Sequence, residues 1–108
     1  MNMGALALEL SHEGRQSEAE RLFEEELQTA SKTKRTGLIS MAWYDSGCGS
    51  AIAGRHDVAF TYLQRAVDIG HQAVEDIASD PDLKSLHSDP RFETLLARAR
   101  NRAASANP

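Results

Sequence analysis

The sequence predicts an all-α protein made of antiparallel helical hairpins. Apolar residues recur at helical spacing along most of its 108 residues. The pairs Gly14-Arg15 and Gly54-Arg55 lie 40 residues apart, and the apolar residues that follow each pair correspond. Two Asp-Pro pairs, at 80–81 and 89–90, each place an aspartate before a proline, as at the start of a helix. A repeated hairpin builds a binding surface more readily than a catalytic centre.

The first hairpin is predicted over residues 3–31. Its first helix should end at Gly14, where a left-handed backbone carries no steric penalty. Ser17 and Glu20 have the spacing of a capping box, so the second helix should begin there. The expected apolar faces are Met3, Leu6, Ala7 and Leu10 on the first helix and Ala19, Leu22, Phe23 and Leu27 on the second.

Two polar stretches belong to this part of the chain. Glu24, Glu25 and Glu26 follow one another around the second helix, and we expect them to form a solvated acidic face. Residues 31–37 are polar and basic and include no apolar anchor, so they are expected to be an exposed connection between the hairpins.

The second hairpin, residues 37–70, has the clearest pattern. Its first helix is predicted from about Leu38 to Ala53. Asp57 is expected to cap the following helix, and Gly70 suits the C-terminal cap of that helix. The buried stripe of the second helix should be Ala59, Tyr62, Leu63, Ala66 and Val67.

Residues 71–104 are predicted to be capping helices, and residues 105–108 a frayed tail. A short helix should precede Asp80, and Asp80-Pro81 and Asp89-Pro90 should each open a further helix. The apolar residues of these three helices are Ala73, Val74, Ile77 and Ala78, then Leu83 and Leu86, then Phe92, Leu95, Leu96, Ala99 and Ala103.

Length and composition limit the class of protein. A chain of 108 residues has room for one domain, and a net charge of −4 argues against non-specific binding to nucleic acid. Cys48 is the single cysteine, so no intrachain disulfide is possible and a reducing cytoplasm is the expected location. The first ten residues lack a basic leader and include Glu9, so neither a signal peptide nor a membrane span is expected.

These hairpins resemble the units of the tetratricopeptide repeat family, which have a turn glycine and small residues at the helix contacts. The matching positions are Trp43, Gly47, Gly54, Ala59 and Ala66 in the second hairpin and Ala7, Gly14, Ala19 and Phe23 in the first. The resemblance implies a short right-handed superhelix of stacked hairpins. The chain departs from the family in its offset of 40 residues, against about 34, and in the lack of a proline at the repeat boundary near His71.

The closing sequence, from Asp80 to Arg100, is similar to the end of many bacterial repeat arrays. In those arrays a last helix covers the exposed face of the final hairpin. The resemblance therefore implies a bacterial protein in which the helix from Pro90 is a lid.

In the family, the first helix of each hairpin lines a concave groove. The resemblance implies a partner-binding groove here, apolar to mildly polar and without the lysines and asparagines that clamp a peptide carboxylate. We expect it to bind a helix or extended segment of a partner protein, with Tyr44 and Met41 as anchors. The lining positions are Gly4, Leu8, Ser11, His12, Met41, Tyr44, Cys48, Ala51 and Ile52.

Catalytic and metal-binding alternatives rest on few residues. Cys48 and His56 could form a nucleophile and its base, but the pattern places Cys48 within a helix and His56 in a turn, with no third orienting group. A packed thiol is the favoured interpretation. The histidines His12, His56, His71 and His87 are 44, 15 and 16 residues apart, which is not a metal-ligand spacing.

The last helix is locally basic through Arg91, Arg98, Arg100 and Arg102. This charge could contact nucleic acid or another anionic partner. The favoured explanation is that the last three arginines lie near the C-terminus of the helix, where cations interact well with its dipole.

We therefore predict a non-enzymatic protein-interaction module without catalytic residues, metal or cofactor, which binds a protein or peptide but neither nucleic acid nor membrane. The alternatives are a self-associating homodimeric module and, less favoured, a cysteine hydrolase that uses Cys48 and His56.

Overall fold

A computed structural model describes residues 2–70 and 73–106, and every regular element in these residues is helical. The elements are α1 (Met3–His12), α2 (Gln16–Thr33), α3 (Thr36–Ile52), α4 (His56–Ile69), α5 (Val74–Ser79), a 3-10 segment (Pro81–Leu86) and α6 (Pro90–Ala106). The predicted all-α class is confirmed for this part of the chain. None of its helices combines the length and apolar content that a bilayer span requires.

The two Gly-Arg turns have the same backbone geometry. Gly14 and Gly54 both have φ of +80°. The amide of Arg15 donates to the carbonyl of Leu10 over 2.9 Å, and the amide of Arg55, 40 residues on, donates to that of Ser50 over 2.8 Å. The correspondence that the sequence predicts therefore extends to the hydrogen bonds of the turns.

The predicted helix caps at Ser17 and Asp57 are wrong. The capping positions are Arg15 and Arg55, and neither side chain makes a capping hydrogen bond to the backbone of the helix that it precedes. The carbonyls of these two arginines already accept the first intrahelical bonds, from Ala19 and Ala59. Because the chain re-enters a helix directly after each glycine, Ser17 and Asp57 lie inside the first turn and cannot cap it.

The connection predicted at residues 31–37 is also too long. Helix α2 continues to Thr33 and α3 begins at Thr36, so only Lys34 and Arg35 lie between them. The Thr33 hydroxyl donates to the carbonyl of Ala30 over 2.6 Å and accepts the amide of Arg35 over 3.1 Å, while Lys34 turns the chain with φ of +58°. Long helices of 18 and 17 residues, not a long linker, therefore account for the offset of 40.

Helices α3 and α4 pack against each other in antiparallel directions. The Ser40 hydroxyl donates to the carbonyl of Ala66 over 2.9 Å, and the rings of Trp43 and Tyr62 lie 5.4 Å apart. Further along α3, a methyl group at Gly47 would overlap the side chain of Leu63 and approach the carbonyl of Ala59. Small residues at these positions let the two backbones approach closely.

The core has two parts, and Leu8 packs against both. The larger part joins α3 and α4 to α5, the 3-10 segment and α6, while the smaller part joins α1 to α2. The sequence misassigned several side chains: Phe60 is buried, whereas Tyr62 is partly exposed and Leu6, Ala78 and Ala103 are exposed. The buried residues of the larger part are Tyr44, Cys48, Ala51, Ala59, Phe60, Leu63, Ala66, Val67, Ile77, Leu83, Leu86, Phe92, Leu95, Leu96 and Ala99.

Both Asp-Pro pairs start helices as predicted. The carboxylate of Asp80 accepts the amide of Asp82, and that of Asp89 accepts the amide of Arg91, each over 2.9 Å. The first pair opens a 3-10 helix of six residues and the second opens α6. Helix α6 continues to Ala106, into the tail that was predicted to fray, and residues 107–108 lie outside the described residues.

Three arginines of α6 contact α4 and lie before the last turn of α6, which carries no basic residue to interact with the helix dipole. Arg98 forms two hydrogen bonds with Asp68, of 2.6 and 2.8 Å. Arg91 pairs with Asp57 over 2.8 Å and lies 4.5 Å from the centre of the Phe60 ring. Arg102 donates to the carbonyl of Ile69 at the end of α4 over 3.3 Å.

The seam between α3 and α4 gives a first prediction. Ala59 is fully buried there, so Ala59→Glu should lower the free energy of unfolding by about 3 kcal/mol or more, because a carboxylate would enter a close helix contact. Thr61→Glu, on the exposed face of the same helix, is the control and should change it by less than about 1 kcal/mol. Urea unfolding measures both, and equal midpoints for Ala59→Glu and wild type would contradict this packing.

Candidate functional site

The chain itself covers much of the groove that the sequence predicts. Ser11, Tyr44, Cys48 and Ala51 are buried, and Leu8 and Ile52 are partly buried. Of the nine predicted lining positions, only His12 and Met41 are exposed, and Gly4 is buried as well. The predicted groove is therefore not open at most of its positions.

The 3-10 segment and the aspartate before it lie on this face of α3. The Tyr44 hydroxyl donates to the Asp80 carboxylate over 2.7 Å, and the Ser85 hydroxyl donates to the carbonyl of Ala51 over 3.3 Å. From α1, the ring of His12 lies 2.8 Å from the carboxylate of Asp82. Local sequence patterns do not indicate these contacts, because the residues that meet are more than 30 positions apart.

The surroundings of Cys48 do not suit a nucleophile. Burial raises the pKa of its thiol, and the negative charges of Asp80, Asp82 and Asp45 raise it further. The thiol lies 3.8 Å from the Asp80 carboxylate, and no hydrogen bond joins it to His56, which begins α4. A catalytic cysteine needs a nearby base or cation that favours the thiolate, and Cys48 has the opposite environment.

The same place holds the one group of described side chains whose donor atoms are close enough to share a metal ion. Donor atoms of Cys48, Asp80 and Asp82 lie within 4.8 Å of one another. Each already has a structural partner, however: Asp80 caps the 3-10 segment and accepts from Tyr44, Asp82 meets His12, and the thiol stays protonated. Sequence inspection missed this group because it considered the spacing between histidines, and none of the three residues is a histidine. Of the four histidines, His71 lies outside the described residues.

A second acidic group lies where α1, α2 and α3 meet, and it corrects the predicted acidic face. Glu24 and Glu25 are exposed as expected, but Glu26 is partly buried and lies with the carboxyl of Asp45 beside Gly4. Burial, followed by this contact, raises the pKa of Glu26 to about 8, and burial also raises the pKa of Asp45. Carboxyl groups this close share a proton instead of both ionising.

An open cleft lies between α2 and the α3–α4 hairpin, with a volume of about 440 Å³. Gly49 has no side chain, so the ring of Phe23 can approach α3 and form the floor of the cleft. A methyl group at position 49 would overlap this ring. The residues around the cleft are Gln16, Glu20, Phe23, Glu24, Leu27, Trp43, Ser46, Gly49, Ser50, Ala53, Arg55, Val58 and Tyr62.

Aromatic and charged side chains divide the cleft into an apolar interior and a polar rim. Trp43 packs on Tyr62, and the guanidinium of Arg65 lies 4.8 Å from the centre of the Trp43 ring. At the N-terminal end of α2, Glu20 forms an ion pair with Arg55. Helical spacing predicted Trp43, Phe23 and Leu27 as packing residues only, since it does not distinguish a buried seam from the wall of a cleft.

Comparison with protein-family models, with curated proteins and with solved structures finds no match to this chain.

The environment of Cys48 gives a second prediction. A thiol reagent should modify the native protein at least about a hundredfold more slowly than free cysteine, because the buried, protonated thiol reacts only when the structure opens. The same protein in urea is the control and should react at the rate of an exposed thiol. A native rate equal to or above that of free cysteine would contradict this description and favour the hydrolase alternative.

A third prediction concerns the contact that covers α3. Tyr44→Phe should lower the free energy of unfolding by about 1–2 kcal/mol, because the Asp80 carboxylate loses a buried donor. Tyr62→Phe, on a partly exposed ring, is the matched control and should have a smaller effect. If denaturant unfolding gives equal losses for the two variants, the bond between Tyr44 and Asp80 does not secure the 3-10 segment.

Proposed function

We propose that the chain is a non-enzymatic protein-interaction module of the cytoplasm, made of two tetratricopeptide-like hairpins and a capping region. The matched hydrogen bonds of the two Gly-Arg turns support the repeat, and the arginine pairs between α6 and α4 support the capping role of α6. The raised pKa of Cys48 argues against thiol chemistry. A bacterial origin is part of the same proposal and rests on the closing sequence alone.

The docking surface in this proposal is the cleft between α2 and the α3–α4 hairpin. The observation that carries this choice is the burial of Tyr44, Cys48 and Ala51 beneath the 3-10 segment, which leaves the predicted groove with little free surface. The cleft offers a volume of about 440 Å³ with aromatic walls, which is within the range of sites that hold one or two side chains of a partner.

The partner that suits this cleft is a segment of another protein with a large apolar side chain next to a lysine or arginine. The apolar side chain would lie among Phe23, Leu27 and Val58. Glu20 is already paired with Arg55, whereas the one hydrogen bond of the Glu24 side chain within the described part of the chain is from the amide of Gln28, over 3.4 Å. The Glu24 carboxylate is thus available to a partner's cation at the rim, where such a charge adds selectivity and speeds association.

Self-association is the second candidate, and two exposed side chains favour it. Leu38 and Met41 lie one turn apart on α3 and are 47% and 48% exposed. An apolar pair of this kind can be covered by a second copy of the chain.

A fourth prediction tests the cleft with selected peptides. Peptides selected from a random display library for binding should combine an aromatic or aliphatic residue with a neighbouring lysine or arginine. Val58 is 42% exposed, so Val58→Glu should leave the fold intact and weaken binding about tenfold or more, by blocking the apolar wall. Glu24→Gln should weaken it less, and mainly at low salt.

Met41→Glu is the matched control, since it adds the same charge to an equally exposed position on the other face. Chemical-shift mapping with a selected peptide should perturb Phe23, Val58 and Tyr62. Perturbations at Leu38 and Met41, or a dimer in light scattering that Met41→Glu dissociates, would favour self-association instead. If selection yields no peptide sensitive to Val58→Glu, the cleft is not the docking surface.

A further inference from the structure

Two carboxyl groups meet at the junction of the first three helices. Glu26 comes from α2 and Asp45 from α3, and both face Gly4 in the first turn of α1. A side chain at Gly4 would overlap the carboxyl of Asp45, and its first carbon would lie 2.7 Å from Oε2 of Glu26. Glycine therefore makes room for the pair, and the pair fills the gap between α1 and its two neighbours.

One oxygen of this pair is in an unfavourable position for a charge. Oε1 of Glu26 is buried and has no hydrogen-bond partner among the described residues. A buried carboxylate oxygen without a donor loses its hydration and gains nothing in return. A neutral carboxyl group loses much less hydration free energy on burial than a carboxylate, and it can donate its proton to Asp45.

Among the residues that the structure describes, the groups that face the pair do not supply a compensating cation. Asp80 and Asp82, at the start of the 3-10 segment, add negative charge near Asp45, and α1 contributes Gly4, which is uncharged. His12 of α1 is engaged with Asp82, and no lysine or arginine contributes to the shifted pKa of either Glu26 or Asp45. The first-turn amides of α1 offset the negative charge in part, but none of those described bonds to either carboxyl group.

We propose that one proton shared by Glu26 and Asp45 latches α1 onto α2 and α3, so that loss of this proton at rising pH loosens α1 from the rest of the protein. Two carboxylates in this junction repel each other and also lose solvation. Helix α1 is held otherwise by the apolar contacts of Ala7, Leu8 and Leu10 and by the contact of His12 with Asp82.

The sign of the pH dependence follows from linkage. Glu26 has a pKa of about 8 in the folded chain and an ordinary value of 4.5. The folded state therefore binds more protons than the unfolded state between these values. The stabilisation is complete below about pH 4.5 and is lost as the pH rises towards 8, which is the reverse of an ion-paired carboxylate.

The direct test is a titration of side-chain carboxyl carbons by NMR on the full chain. We expect one glutamate carbon to titrate with a midpoint near 8 in the wild type and to be lost in Glu26→Gln. Glu25→Gln removes the exposed neighbouring charge and should leave this midpoint unchanged. If every glutamate carbon titrates below about pH 6, Glu26 ionises normally and the latch does not exist.

Amide hydrogen exchange tests whether loss of the proton loosens α1. After correction for intrinsic exchange, the protection of α1 amides relative to α4 amides should fall at least about tenfold between pH 6 and pH 9 in the wild type, in line with a pKa raised by more than one unit. Glu26→Gln should abolish most of this fall, and Glu25→Gln should not. If Glu26 titrates near pH 8 but α1 loses no protection relative to α4, the proposal is also overturned. Neither the NMR titration nor the exchange measurement depends on the docking cleft.

Discussion

The close approach of α3 and α4 is the constraint on which the rest of this structure depends. Gly47 and Ala59 let the two backbones come together, and the hydroxyl of Ser40 bonds across to α4. Apart from Trp43, which packs on Tyr62, α3 places small residues on that seam and presents its other faces to its remaining neighbours. Helices α1 and α2 and the 3-10 segment all pack on it. A small-residue seam on one side thus frees α3 to act as the central helix of the fold.

The position of the 3-10 segment decides which surfaces remain for a partner. Leu83 and Leu86 are fully buried, so this segment belongs to the core and is not a detachable cover. Its contacts with Tyr44 and Ala51 fill the face that a repeat protein commonly leaves open. On the opposite side, Gly49 and Phe23 bring α2 close to α3 but leave a cleft beside Trp43. The chain closes one surface with its own C-terminal part, and this is why the proposed docking site moves to the other.

The sequence predicted well whatever depends on short stretches of chain. The turn glycines, the aspartate caps before Pro81 and Pro90, and the helical class each follow from a few neighbouring residues. The caps at Ser17 and Asp57 failed because the backbone of the turn itself supplied the first helical bond. The prediction of the groove failed for another reason. Residues 80–86 cover it, and helical periodicity does not show that these residues contact α3. The Glu26–Asp45 pair was missed in the same way, since three consecutive glutamates gave no sign that one faces inward.

Helix α3 places three protonated side chains against carboxyl groups. Together they make the stability of the fold decrease as the pH rises. Tyr44 and Cys48 both donate to Asp80, while Asp45 shares a proton with Glu26. Burial raises the pKa of each of the three α3 groups, so the folded state retains protons that the unfolded chain releases. For Cys48 this stabilisation is present below its ordinary pKa of 9.0 and is lost above it. The carboxyl pair weakens first, between pH 4.5 and about 8, and the thiol only at higher pH. Alkaline unfolding should therefore begin at the junction with α1 and reach the contact between α3 and the 3-10 segment later.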